Sequence, residues 1–265
     1  MRIALLIQYL GTNFHGWQKQ PNQVSIQGYI EQAIADVTGT TVRVYGAGRT
    51  DAGVHAAAQV AHFEYQGPIP PHKWSKIING RLPQDILIRA SNQVHDHWHA
   101  RFSALWRRYR YTIYNDQQPN LFVSKTSWHY YYAALDELLI QEALDPLLGE
   151  HDFSAFKRSG SDRNDSLVEV QTAYCYRRDS FLYLEVQANS FLYGMVRFLV
   201  GMLVEVGSGK RTPKSFTEIW QNQRREEVKY SAPAKGLCLL RVGYPELPFP
   251  QPLWFDAQPN FLLAR

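Results

Sequence analysis

Cysteines and long apolar runs are both scarce in this 265-residue chain. It holds only two cysteines, Cys175 and Cys238, and each stands in an apolar run. This usage argues against a disulfide-stapled secreted protein and favours a reducing compartment. No apolar run is long enough to span a bilayer, and the short one near the start lacks the small-residue cleavage site of a signal peptide. These absences predict a globular cytoplasmic protein.

The patterns of several common catalytic sites are also incomplete. Gly46 and Gly48 begin like a dinucleotide-binding turn, but the third glycine would stand at position 51, which is aspartate. No carboxylate pair or Ser-His-Asp order is evident. His95, His97 and His99 alternate as ligands on a strand would, yet no cysteine accompanies them. We interpret them as surface or structural histidines and predict no metal and no nicotinamide or flavin cofactor.

Basic residues are in modest excess, with a formal net charge of +4 and a pI of about 9.0. Any one basic cluster is equally well explained as a solvated face. Several clusters together favour a surface for a nucleic acid. The clusters are Arg101, Arg107, Arg108 and Arg110; Lys157, Arg158 and Arg163; Arg177 and Arg178; and Lys210, Arg211 and Lys214.

The hydrophobic periodicity predicts an α+β protein with two halves, residues 1–102 and 103–265. In the first half, strands 3–9, 41–45, 59–65 and 85–94 and helices 24–37 and 73–79 give the β-α-β-β-α-β order of a ferredoxin-like unit. In the second half, the pattern predicts strands 103–115, 168–176, 181–187 and 236–244, helices 133–148, 191–206 and 214–221, and an irregular tail. We expect two ferredoxin-like halves joined through a mostly antiparallel central sheet with helices packed on it.

Residues 45–56 combine three glycines, one arginine, one carboxylate and one histidine after a β-like run. Glycines around a charged side chain indicate a tightly bent backbone that presents it, and here that side chain is Asp51. One interpretation is a turn cap paired with Arg49. The other is a nucleophile or base, because a carboxylate is already ionised at neutral pH and needs no further activation.

Four segments, in order, carry a resemblance to a known family. They are residues 14–20 (Phe-His-Gly-Trp-Gln-Lys-Gln), 47–55 (Ala-Gly-Arg-Thr-Asp-Ala-Gly-Val-His), 99–103 with 108–115, and 188–197 (Ala-Asn-Ser-Phe-Leu-Tyr-Gly-Met-Val-Arg). Together with the closing strand at Gly236, they resemble the tRNA pseudouridine synthase A (TruA) family over about residues 1–245.

The resemblance implies the pseudouridine synthase fold and the conversion of uridine to pseudouridine at positions 38, 39 and 40 of the tRNA anticodon stem-loop. Asp51 is then the nucleophile, and Tyr109 lies against the target base. Arg49 and Arg197 are the ion-pair and phosphate partners near Asp51. The reaction needs no cofactor. The tRNA anticodon arm is the partner, no membrane is involved, and the resemblance implies a homodimer.

Three departures from the family pattern leave the range of substrates open. Leu10 stands where the family commonly has aspartate, Gly194 where it often has histidine, and residues 163–169 match weakly. The alternatives to a synthase are a non-catalytic RNA-binding protein or chaperone on the same fold, and a metal-dependent enzyme that uses the histidines.

Overall fold

The computed structural model describes residues 1–158 and 165–249, and these form two compact units. One unit comprises Met1–Leu105 and the chain from Cys238, and the other is Trp106–Leu237. The sequence prediction divides the chain at 102/103 and assigns the last strand to the second half. The structure instead returns this strand to the first unit, where Cys238 pairs with His55. Pairing over such a long chain separation leaves no periodic signal in the sequence.

The first unit has the predicted β-α-β-β-α-β order. Its strands β4, β1, β3 and β2 lie side by side with antiparallel neighbours, and the last strand of the chain, β10, adds to β3 in parallel. The elements are β1 Arg2–Tyr9, α1 Ile26–Thr38, β2 Tyr45–Gly46, β3 His55–Glu64, α2 Trp74–Asn79, β4 Ile86–Val94 and β10 Leu237–Gly243.

Strand β2 is shorter than predicted, and residues 41–44 do not belong to it. Glu31 on α1 accepts a hydrogen bond from the backbone N of Val44, and Gln27 donates one to the Val44 carbonyl. These helix side chains occupy the backbone groups that a strand neighbour would use. Helix α1 begins after Ser25, whose hydroxyl accepts from Gly28 N, and ends at Gly39 in the left-handed region.

In the second unit, β5, β9, β8 and β7 form an antiparallel series, and β6 adds to β5 in parallel. The predicted hairpin between β8 and β9 is confirmed, as is the α+β class with a large, mostly antiparallel sheet. The elements are β5 Trp106–Tyr114, β6 Trp128–His129, α3 Glu137–Leu144, β7 Gly149–Asp152, β8 Leu167–Arg178, β9 Phe181–Ala188, α4 Met195–Gly207 and α5 Pro213–Gln221.

Two helices are shorter than predicted, for local reasons. Helix α3 begins only after Asp136, whose side chain caps Leu138 and Leu139, and Pro146 turns its end into a 3-10 turn. Helix α4 begins after Gly194, which has a φ of +76°. No helix in the described ranges is both long and apolar enough to cross a membrane. Arg163 and most of the predicted irregular tail lie outside the described residues.

Candidate active site

The loop between β2 and β3 reverses the chain and carries Asp51 at the reversal. Before the loop, Gly46 pairs with Ala61 and Ala47 N donates to the Val60 carbonyl at 2.7 Å, so the chain runs alongside β3. After Asp51 it turns at Gly53, which has a φ of +80°, and enters β3. Asp51 is half-buried and Arg49 is exposed.

The first family-like motif, residues 14–20, is built against this loop. Trp17 N donates to the Thr50 carbonyl at 3.1 Å, and Gly53 N donates to the Phe14 carbonyl at 3.2 Å. Gly16 has a φ of +84°, and a Cβ there would lie 2.4 Å from the Thr50 carbonyl oxygen. The two motifs therefore form one structural unit, with hydrogen bonds to the backbone on both sides of Asp51.

Three further hydrogen bonds join the loop and the start of β3 to neighbouring residues of the first unit. The Tyr9 and Thr50 hydroxyls lie 2.8 Å apart in the core, Gly11 N donates to His55 Nδ1 at 2.9 Å, and Gln59 Nε2 donates to the Gly48 carbonyl at 2.9 Å. None of Tyr9, His55 and Gln59 has a predicted role. A local signal exists at Gln59, a polar residue inside the apolar run 56–61, where it is fully buried.

The glycines of this loop support a bend, as the sequence analysis predicts. A Cβ on Gly46 would lie 2.6 Å from the Trp17 ring, so only glycine allows the ring to pack there. Gly53 supplies the positive φ at the turn. The loop runs directly into β3, whereas a dinucleotide-binding turn is followed by a helix.

Tyr109 and Arg197, the other two predicted site residues, belong to the second unit. Tyr109 pairs with Val186 in the sheet, is 7% exposed, and its ring meets the Phe191 ring edge-on at 4.9 Å. Arg197, in the first turn of α4, donates to the Ala232 carbonyl at 2.7 Å and to the Ser231 hydroxyl at 3.1 Å. The four predicted residues are thus divided two and two between the units, and their roles toward substrate stay predictions.

Tyr111 shares a face of β5 with Tyr109 but has a structural role. Its ring is completely buried, and its hydroxyl donates to the Pro233 carbonyl at 2.7 Å. Burial raises the pKa of Tyr111 well above its usual range, so the hydroxyl stays protonated. A Cβ on Gly236 would lie 2.5 Å from the Tyr111 ring, which explains the glycine before the closing strand.

The arginines beside Tyr109 do not form one patch with it. Side chains alternate along a strand, so Arg108 and Arg110 lie on the sheet face opposite to Tyr109. Arg108 donates to Gln187, and Arg110 forms an ion pair with Glu185 at 2.6 Å, with both side chains largely buried. Arg107 donates to the Asn189 carbonyl. Arg108 and Arg110 therefore do not share the sheet face of Tyr109, and both have partners within the protein.

Of the histidines in the predicted alternating series, His95 and His97 are exposed, and His99 packs with aromatic rings. His99 lies with its ring centroid 4.6 Å from that of His62, and its Nδ1 accepts from Arg101 N. Among residues 1–158 and 165–249, no group of three or more His, Cys, Asp or Glu side chains is placed to hold a metal ion.

Comparison with known proteins assigns the family. A family model described as tRNA pseudouridine synthase matches residues 5–103 and 143–245, which include Asp51 and Arg197 but not Tyr109. A solved Cbf5-Nop10-Gar1 complex is a remote match (TM-score 0.34, 12% identity, 76% of this chain and 54% of that one) and adds nothing to the assignment.

Curated relatives match nearly the whole chain. Proteins named tRNA pseudouridine synthase A from Rippkaea orientalis and a Synechocystis strain are 67% and 66% identical, covering 100% and 97% of this chain and 90% and 94% of theirs. The protein of that name from Gloeobacter violaceus is 51% identical over 94% of this chain and 82% of its own length. The chain is therefore an isomerase that belongs to the tRNA pseudouridine synthase A (TruA) family.

Proposed function

We propose that this enzyme converts uridine to pseudouridine at positions 38, 39 and 40 of the tRNA anticodon stem-loop, with Asp51 as the nucleophile. Family membership supports a tRNA uridine substrate. The observation that carries the role of Asp51 is the loop itself. Thr50 and Gly53, on either side of Asp51, are hydrogen-bonded to the segment 14–17, which fixes the position of a half-buried carboxylate.

The proposed reaction rearranges bonds without any outside reagent. The Asp51 carboxylate attacks the ribose C1′, and the bond from C1′ to uracil N1 breaks. The detached uracil turns and bonds to C1′ through its C5, which releases the carboxylate. The C5 proton leaves, and N1 gains one. Atoms and electrons balance within the nucleotide, so the proposal includes no cofactor and no metal.

Access to the ribose of a stacked nucleotide requires that the base leave the stem. Flipping costs a few kcal/mol, which contacts in the pocket must offset. We assign Tyr109 to stack on the flipped base, a contact worth about 1–3 kcal/mol. Arg49, two residues before the nucleophile, serves as its ion-pair partner, and Arg197 contacts phosphate near it.

The proposal includes a cytoplasmic homodimer. Both cysteines are free thiols, which suits a reducing compartment. Light scattering on the purified protein measures the mass directly, and the dimer is twice the 30.6 kDa of one chain.

Replacement of the nucleophile tests the mechanism. We expect Asp51→Ala to lower tritium release from C5-labelled uridine in tRNA at least about a thousandfold, while the Kd for tRNA changes less than about threefold. Asp36→Ala, at an exposed position on α1, is the matched control and keeps the wild-type rate. A wild-type rate in Asp51→Ala contradicts the mechanism. Wild-type protein that binds tRNA but releases no tritium supports the non-catalytic alternative. Mapping pseudouridines in the treated tRNA tests positions 38, 39 and 40.

A further inference from the structure

A column of aromatic rings, distinct from the Asp51 loop, reaches the surface of the first unit. We define the ring column as Tyr45, His62, His99 and Phe102. Tyr45 stacks on His62 with ring centroids 5.2 Å apart, His62 meets His99 at 4.6 Å, and His99 meets Phe102 at 4.5 Å. His62 is buried, whereas Phe102 is 76% exposed and Tyr45 is 37% exposed.

The exposed phenylalanine is held in place by its own turn. His99 Nδ1 accepts hydrogen bonds from the backbone N of Arg101 and of Phe102. Ser103 closes the same turn, since its hydroxyl accepts from His99 N and its N donates to the His99 carbonyl. An exposed aromatic ring on a fixed backbone costs little conformational entropy when it binds a partner.

The turn is anchored to the sheet through His62, the buried inner ring of the column. Ala100 N donates to His62 Nδ1, which therefore carries no proton, and Trp98 meets the His62 ring edge-on. Burial, together with His99 and Arg2, lowers the pKa of His62 to about 3. Burial and the charges of Arg2 and Arg101 also lower the pKa of His99. The two imidazoles are thus neutral rings at neutral pH.

Positive charge flanks the column at both exposed rings. The Arg43 guanidinium lies 5.1 Å from the Tyr45 ring centre, and the Arg101 guanidinium lies 5.7 Å from that of Phe102. Both arginines are exposed. The nearby carboxylate of Glu64 is neutralised by Arg2 at 2.6 Å. Flat rings bordered by guanidinium groups are the combination that binds bases by stacking and the adjacent phosphates by charge.

We propose that the Phe102 end of the ring column is a second RNA contact, where an unpaired base of the substrate stacks on Phe102 while Arg101 and Arg43 bind its flanking phosphates. This rests on the proposed function for the identity of the RNA. Tyr45 and Asp51 are six residues apart, so their Cα atoms are separated by at most about 22 Å, and one RNA can contact both. The base at Phe102 is not the one that is isomerised, so this contact contributes to binding and not to bond breaking.

Substitution of Phe102 tests the stacking contact. Phe102→Ala is expected to raise the Kd for tRNA about 5- to 100-fold, while Phe102→Trp keeps the wild-type Kd because it restores a flat ring. The matched control is Phe122→Ala, since Phe122 is 91% exposed but lies outside the column. At saturating tRNA, tritium release by Phe102→Ala stays within about twofold of wild type.

The charge contribution is tested separately through salt dependence. Arg101→Gln is expected to reduce the slope of log Kd against log salt by about one. A Kd for Phe102→Ala within twofold of wild type, or equal to that of Phe122→Ala, overturns the proposal. So does an effect of Phe102→Ala on self-association alone, which assigns the surface to a protein contact. If the wild-type protein releases no tritium but the Kd differences persist, the catalytic assignment is wrong and the RNA contact stands.

Discussion

The loop that carries Asp51 and the strand that carries Tyr109 are positioned by different forces. Around Asp51, backbone groups form hydrogen bonds with segment 14–17, and the Thr50 hydroxyl forms a hydrogen bond with the Tyr9 hydroxyl. Tyr109 takes its place from the strand register and from ring packing against Phe191. The proposed nucleophile must be held to a fraction of an ångström, so its loop depends on backbone geometry that only glycine permits. The Tyr109 ring, on a strand, depends mainly on its side-chain neighbours.

This contrast predicts which substitutions are damaging in each region. In the loop, the damaging change is a small one, because a single methyl group at a glycine displaces the backbone. On β5, the damaging change is removal of a polar partner in a buried pair. The three predictions below test the contrast, beginning with the largest effect.

Gly16→Ala is expected to have the largest effect. The left-handed φ costs about 1–2 kcal/mol for alanine, and the Cβ would lie 2.4 Å from the Thr50 carbonyl, so this carbonyl must move. We expect the free energy of unfolding to fall by at least about 3 kcal/mol. In folded protein at low temperature, we expect kcat for tritium release to fall at least about a hundredfold, because Asp51 follows Thr50 directly.

Gly39→Ala is the matched control for this prediction. Gly39 also has a left-handed φ, of +69°, but a Cβ there meets nothing within 4 Å. We expect a loss of about 1 kcal/mol in unfolding free energy and an unchanged kcat. Equal loss of activity in the two variants means that backbone strain, and not the contact with Thr50, explains the effect. The contrast drawn above then fails.

The sequence predicts this region well where the signal is local. Periodicity identifies α1 and β1, and the contiguous motif identifies Asp51. The hydrogen bonds that hold the loop are not predictable, because the one between Tyr9 and Thr50 joins residues 41 positions apart. For the same reason, Val44 is misassigned to a strand, since its backbone partners are Glu31 and Gln27. Side-chain alternation on β5 does indicate that Arg108 and Arg110 face away from Tyr109, although all three belong to one basic and aromatic segment of the sequence.

The second prediction concerns the buried ion pair on the strand. Arg110→Met leaves the Glu185 carboxylate in a largely buried site, where the Tyr176 hydroxyl is its remaining side-chain partner among the described residues. We expect the free energy of unfolding to fall by about 3 kcal/mol, measured by urea denaturation. Because we assign Arg110 a structural role and no contact with RNA, the salt dependence of tRNA binding should stay unchanged.

A double substitution separates these two roles. Arg110→Met combined with Glu185→Leu removes both charges and is expected to recover most of the lost stability. A reduced salt slope in folded Arg110→Met identifies Arg110 as a phosphate contact and contradicts our assignment of the two faces of β5.

The smallest effect is expected from the hydroxyl of Tyr111. Tyr111→Phe leaves the partly buried Pro233 carbonyl without this donor, which costs about 1–2 kcal/mol of unfolding free energy. Its kcat/KM for tritium release should stay within twofold, because the hydroxyl is buried and donates to the Pro233 carbonyl. Tyr109→Leu, two residues away on the same face, should instead lower kcat/KM about 5- to 100-fold through the lost base contact. If Tyr111→Phe lowers kcat/KM more than Tyr109→Leu does, the substrate contact belongs to Tyr111, and the roles of the two neighbouring tyrosines are reversed.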